Sequence, residues 1–76
     1  MSNLADLQVG QSATVINILG EENIKRRFLD LGIINGSKIE CVFKSPFKDP
    51  TAYEIKNTTI AIRAEDAKNI EIRSIK

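Results

Sequence analysis

The 76-residue chain has no histidine, no tryptophan and one cysteine, Cys41. Each absence removes a class of chemistry. Without imidazole, no side chain titrates near pH 7 in its ordinary range, and no nucleophile has a histidine base beside it. A dedicated transition-metal site would rest on carboxylates, and no tight carboxylate cluster is visible. One cysteine forbids an intramolecular disulfide, so nothing suggests a secreted disulfide scaffold. Cys41 falls in an alternating apolar stretch, which reads as a buried small hydrophobe rather than a reactive thiol. Charge excess is missing as well. Eleven Lys and Arg face ten Asp and Glu, which argues against nucleic-acid binding through bulk positive charge. Three phenylalanines and one tyrosine are the whole aromatic content, too little for a rich proline-binding groove.

Long apolar runs are absent too. Nothing approaches the roughly 20 apolar residues that cross a bilayer. The start, "MSNLADLQVG", has neither a basic region nor an apolar core of the signal-peptide kind. The acidic pairs Glu21-Glu22 and Glu65-Asp66 are sequence neighbours, and neighbours on a helix do not face each other. No glycine-rich loop opens a helix to cradle phosphates. The expectation is one cytoplasmic domain over residues 1–76, not an enzyme, with no cofactor, no metal site and no direct membrane insertion.

What is present is regular. Ser2 or Asn3 can cap a first turn that buries Leu4 and Leu7. "SATVINIL", residues 12–19, is β-branched and reads as a strand. Ala13 and Val15 point one way and Ile16 and Ile18 the other, as in a strand covered on both sides. Residues 21–31, "EENIKRRFLDL", have helical period, with Ile24, Phe28 and Leu31 on one face. Gly32 follows, where a left-handed residue closes a helix. Asn35-Gly36 is a turn signal. "SKIECVFK", residues 37–44, is a strand with Ile39, Cys41 and Phe43 on one face. "SPFKDP" is a loop between two prolines. Tyr53 and Ile55 alternate in a further strand, and Asn57-Thr58 turns the chain. Ile60 and Ile62 mark another strand, "AEDAKN" one helical turn, and Ile70 and Ile72 a last strand with Glu71 and Arg73 outward. The sum is mainly β: about five antiparallel strands with one short helix between the first two. So short a sheet hides its edges best by curling into a small barrel.

Three ordered series in this chain resemble the FeoA family of bacterial ferrous-iron uptake. The first is Arg27, Phe28, Leu31, Gly32 and Gly36; the second is Pro46, Asp49 and Pro50; the third is Ile60, Arg63, Ala67, Ile70 and Ile72. The module is similar to the SH3-like domain that ends iron-dependent repressors of the diphtheria-toxin-repressor type. The match runs through nearly the whole chain. It departs from the family pattern at Phe28, Lys48 and Asn57, where leucine, glycine and glycine are usual. The resemblance implies an SH3-like barrel and an accessory role beside FeoB, the membrane ferrous-iron transporter with a cytoplasmic GTPase domain. The alternative is a stand-alone regulatory domain acting with an iron-dependent transcription repressor. A third class is a small barrel binding RNA or DNA through Lys25, Arg26 and Arg27, against which charge and aromatic content weigh.

The candidate partner-binding residues are Lys25, Arg26, Leu29 and Phe47. Lys25 and Leu29 share a helix face beside the apolar stripe, so Leu29 is either a docking spot rimmed by cations or a side chain tucked under "GIING". Arg26 reads as a solvated charge within reach of Asp30. Phe47 either folds back to cap the barrel or, with Tyr53, lines a groove for an extended peptide.

Overall fold

A computed structural model describes residues 2–47 and 49–75, with Ser74 and Ile75 described by their backbone alone. Lys48 therefore lies outside the described residues. Six strands form one antiparallel sheet: β1 (Ser2–Asn3), β2 (Ser12–Ile18), β3 (Lys38–Lys44), β4 (Thr51–Ile55), β5 (Thr58–Ile62) and β6 (Ile70–Ile75). Their order across the sheet is β1-β6-β2-β3-β4-β5. Helix α1 (Glu22–Asp30) joins β2 to β3, and the single turn α2 (Ala64–Ala67) joins β5 to β6. The sixth strand is the two-residue β1, paired at Ser2↔Ile72 and Asn3↔Glu71. It is too short to leave an alternation pattern.

The sheet curls until its ends share one core. In a flat sheet β1 and β4 would stand roughly 19 Å apart, four spacings of about 4.8 Å. Yet the Tyr53 hydroxyl on β4 donates to the Leu4 carbonyl, just after β1, at 3.3 Å. Leu4, Leu7, Val15, Phe28, Ile33, Ile39, Cys41, Tyr53, Ile62, Ile70 and Ile72 pack in one buried cluster. This is the closed, edge-hiding arrangement expected of a small SH3-like barrel.

Local signals explain each end of the elements. Asn3 caps a 3-10 turn over Leu4–Asp6 with a reciprocal capping box: its side chain accepts from Ala5 N–H at 2.9 Å, and Asp6 accepts from Asn3 N–H at 3.3 Å. Helix α1 ends in a Schellman motif. Ile33 N–H donates to the Phe28 carbonyl and Gly32 N–H to the Leu29 carbonyl, both at 2.9 Å. Gly32 sits at φ 89°, the left-handed region the motif requires. The chain then turns again over Ile34–Ser37, with Gly36 at φ 92°.

Two β-bulges alter the facing of side chains. In the β2–β6 register Val15 pairs with Ile72, Asn17 with Glu71 and Ile18 with Ile70. Ile72 and Ile70 lie on the same face, so Val15 and Ile18 do too, and Ile16 is the inserted residue. The simple alternation of Ile16 with Ile18 is thereby corrected. In the β3–β4 register Cys41 pairs with Tyr53 but Phe43 with Ala52, which makes Val42 the inserted residue. Cys41 is buried as expected, but Phe43 is turned to solvent rather than sharing its face. A third correction concerns α1. Phe28 is buried and Ile24 half-buried, but Leu31 is exposed. The Schellman turn directs Ile33 into the position beside Phe28 that helical continuation assigns to Leu31. Finally, the β4–β5 turn is Lys56-Asn57, both at positive φ, one residue earlier than Asn57-Thr58.

Candidate functional site

Helix α1 lies on the sheet by Phe28 and Ile24 and shows its other faces to water. Its tie to the opposite helical turn is an ion pair, Arg27 Nη2 to Asp66 Oδ2 at 3.5 Å. That pair accounts for Arg27, which flanks the apolar stripe. No ion pair within 4 Å joins Arg26 to Asp30 among the described residues, so the expected i,i+4 partner is not engaged.

Beside α1 a surface groove of about 320 Å³ is lined by Asn17, Ile18, Lys25, Leu29, Ile33, Ile34 and Asn35. Three elements build it. The β2 bulge swings Ile18 onto the inner face at the strand's end. One helical turn stacks Lys25 under Leu29. The Schellman turn folds Ile33 back into the core and leaves Ile34 and Asn35 along the rim. Leu29 is 59% exposed and Ile34 43%. These are apolar side chains open to water rather than tucked beneath the link.

The structure thus brings Lys25 and Leu29 together and leaves the other two candidates apart. Arg26 is exposed on α1 but does not line the groove. Phe47 is 90% exposed at the tip of the β3–β4 loop. It does not fold back over the barrel, which corrects that expectation. Nor can it share a groove with Tyr53, because Tyr53 is buried in the core at 1% exposure. Sequence reasoning missed Asn17, Ile18, Ile33, Ile34 and Asn35 as groove residues. A signal for part of them was present: "GIING" is an apolar pair inside a turn.

A second cleft, about 340 Å³, lies on the outer face of β3 and β4 between Lys38, Glu40, Glu54, Lys56 and Asn57. Glu40 stands directly opposite Glu54 in the register. Flanking lysines balance those like charges, so the cleft has little net charge to offer a ligand.

The buried titratable groups belong to the core. Burial pushes the Cys41 thiol up from its ordinary range, with Lys44 opposing. Burial also pushes the Tyr53 phenol up to about 12, with the charge of Cys41 adding to it. Both groups are thus held neutral, as packing residues. Among the described residues no three of His, Cys, Asp and Glu gather as metal ligands do, and no helix is long and apolar enough to cross a membrane.

Comparison with known proteins places this geometry. The FeoA domain model matches residues 2–74. A Fe(2+) transport protein A/Fe(2+) transporter FeoB fusion protein of Porphyromonas gingivalis is 32% identical over 72 residues, which is 95% of this chain and 8% of the fusion. The chain therefore corresponds to a small part of that relative. The crystal structure of Stenotrophomonas maltophilia FeoA complexed with zinc, described as a procaryotic SH3 domain protein, superposes with a TM-score of 0.83 at 26% identity, covering 96% of this chain and 91% of that one. A manganese-dependent transcriptional repressor superposes with a TM-score of 0.90 at 21% identity, covering 97% of this chain and 41% of that one, a likeness of fold alone.

Proposed function

The chain belongs to the FeoA family, which is involved in ferrous-iron transport, and from that premise we propose that it is a cytoplasmic accessory protein that binds FeoB and modulates its GTPase portion. It acts by binding, not by catalysis. The observation that carries the reading is the fused relative, in which an FeoA segment like this chain and an FeoB transporter are one polypeptide. Fusion supplies a high effective concentration to two modules that work as a pair. A separate chain needs a docking surface instead, and the groove beside Lys25 and Leu29 is the best candidate. It has an exposed apolar anchor and a rim cation that steers association. Arg26 adds to the steering field from the adjoining face. Phe47 is a second exposed contact, outside the groove lining.

The rival reading, a regulatory domain working with an iron-dependent repressor, is supported by fold likeness only. A double variant tests the preferred one. Lys25→Glu with Leu29→Ser removes groove residues that lie outside the buried core, so the circular dichroism spectrum should stay near wild type. Co-purification with the cytoplasmic portion of FeoB should fall, and ferrous uptake should fail to recover in cells lacking the native protein. Raised salt should weaken the wild-type contact as well. Full binding and full uptake by the double variant would move the interface away from this face.

A further inference from the structure

Resting on that reading, we propose that the groove takes an extended, acidic segment that inserts an aliphatic side chain beside Leu29 and sets a carboxylate against Lys25. Three features of the lining select this occupant. The apolar part is Ile18, Leu29, Ile33 and Ile34, branched aliphatic side chains without an aromatic ring. A proline-rich ligand needs aromatic ridges to lie between, and there are none in the lining. An aliphatic side chain needs only contact area and the release of water from the lining.

Charge selects next. Lys25 is the one ionised side chain in the lining. Among the described residues the only ion pair within 4 Å is Arg27 with Asp66, so no carboxylate of those residues is paired with the Lys25 ammonium. That holds although Glu21 and Glu22 precede it by one turn of α1. An incoming carboxylate takes this position, and an incoming lysine is repelled from it. A single cation is too little for a polyanion such as nucleic acid, which engages many.

Two amides complete the lining, Asn17 and Asn35. The Asn17 side-chain Oδ1 accepts from Ile18 N–H at 3.0 Å, and its amide nitrogen carries two further donors. Asn35 adds a further donor and acceptor, and the residue is exposed. Amides beside an apolar surface suit the alternating N–H and C=O of an extended backbone.

Backbone amide NMR shifts of the wild-type protein test the inference. The probes are three blocked six-residue peptides: Ser-Glu-Leu-Glu-Leu-Ser, the same with lysine for each glutamate, and the same with alanine for each leucine. The acidic leucine peptide should give saturable shifts at Ile18, Leu29, Ile33, Ile34 and Asn35. The lysine and alanine peptides should bind roughly tenfold more weakly or less. Lys25→Glu should invert the charge preference, so that the lysine peptide becomes the better ligand. Equal binding of acidic and lysine peptides, shifts centred elsewhere, or no saturation at low millimolar concentration would each overturn the proposal. Peptides tiled across the cytoplasmic portion of FeoB separate this idea from the one beneath it. If the acidic leucine peptide binds the groove while neither a tiled segment nor the intact cytoplasmic portion of FeoB binds the protein, the groove chemistry stands and the transporter reading falls. If FeoB still co-purifies through the Lys25→Glu, Leu29→Ser variant, the transporter reading stands and this groove is not its site.

Discussion

The Tyr53 hydroxyl donates a 3.3 Å hydrogen bond to the Leu4 carbonyl, and so ties the fourth strand to the segment that follows the first. These strands stand four places apart in the sheet order, so the bond is a measure of its closure. The Leu4 carbonyl also accepts from Leu7 N–H at 3.1 Å and keeps that partner when the phenol is removed. Tyr53→Phe should therefore cost only about 1 kcal/mol, the ordinary worth of a satisfied hydrogen bond. Urea unfolding of the two proteins checks it. A loss beyond about 3 kcal/mol would mean that the ring, and not the bond alone, is displaced.

Tyr53 is the chain's one tyrosine, so its phenolate absorption can be followed without assignment. Burial holds its pKa up to about 12, against about 10 in the unfolded chain. The folded state thus keeps the proton where the unfolded state has lost it. Its stabilising contribution is fully present below pH 10 and is lost as pH rises from about 10 towards 12. The slope attributable to this group is at most about 1.4 kcal/mol per pH unit, one proton's worth. Titration of the native protein near pH 10 would place the phenol in water and contradict the packing.

Signals carried by one or two residues were legible in the sequence. Asn3, one of the two caps the sequence offers, caps the first turn, and Gly32 takes the left-handed backbone that a helix stop needs. The strand cores at Ala13, Val15, Ile39 and Cys41 follow from alternation and burial. What escaped were the bulges at Ile16 and Val42. A bulge inserts one residue into a β-branched or apolar run without changing its composition. Its place is set by the partner strand's register. Each bulge then reverses the facing beyond it, which exposes Phe43 and brings Ile18 to the groove. Leu31 and Ile33 exchanged roles for a related reason. Helical periodicity puts Leu31 on the face of Ile24 and Phe28, but the helix ends before it and the Schellman turn returns Ile33 to the core instead. Most of the groove is made by these register and turn effects, so Lys25 and Leu29 were the legible part.

Gly32 is the first of these positions to test by substitution. A Cβ built there meets nothing within 4 Å, and φ is 89°. The cost of a side chain is therefore backbone strain without a clash. Gly32→Val should destabilise by more than about 1 kcal/mol, and Gly32→Asn by less, because asparagine tolerates the left-handed region. Thermal melts of both variants decide it. Equal loss in the two would point to a packing cause instead.

Phe28 and Phe47 are the same residue type in opposite surroundings, 1% and 90% exposed. Phe28 holds α1 on the sheet and receives the Ile33 amide at its carbonyl. Phe28→Ala should cost about 3–5 kcal/mol, about half the stability of a domain this small at about 0.1 kcal/mol per residue. Phe47→Ser should lie within about 0.5 kcal/mol of wild type. Denaturant midpoints give the comparison. A clear loss of stability in Phe47→Ser would show that its ring packs on the barrel in solution.

Iron handling provides the last test, because an accessory protein of iron transport either carries the ion or acts on the carrier. This chain has no imidazole, and its one thiol is buried with its pKa raised. A thiol must ionise to ligate, so the fold that protects Cys41 also withholds it from a metal. Carboxylates remain, but Glu40 and Glu54, the closest in register, are flanked by Lys38 and Lys56 in their cleft. The expected result of anaerobic calorimetry with ferrous iron is no saturable site tighter than roughly micromolar. The native thiol should likewise react slowly with a thiol reagent and rapidly once denaturant is added. One tight ferrous site lost in Cys41→Ser would mean that the core opens to the ion, and the proposal that the protein acts through FeoB rather than on iron itself would fall.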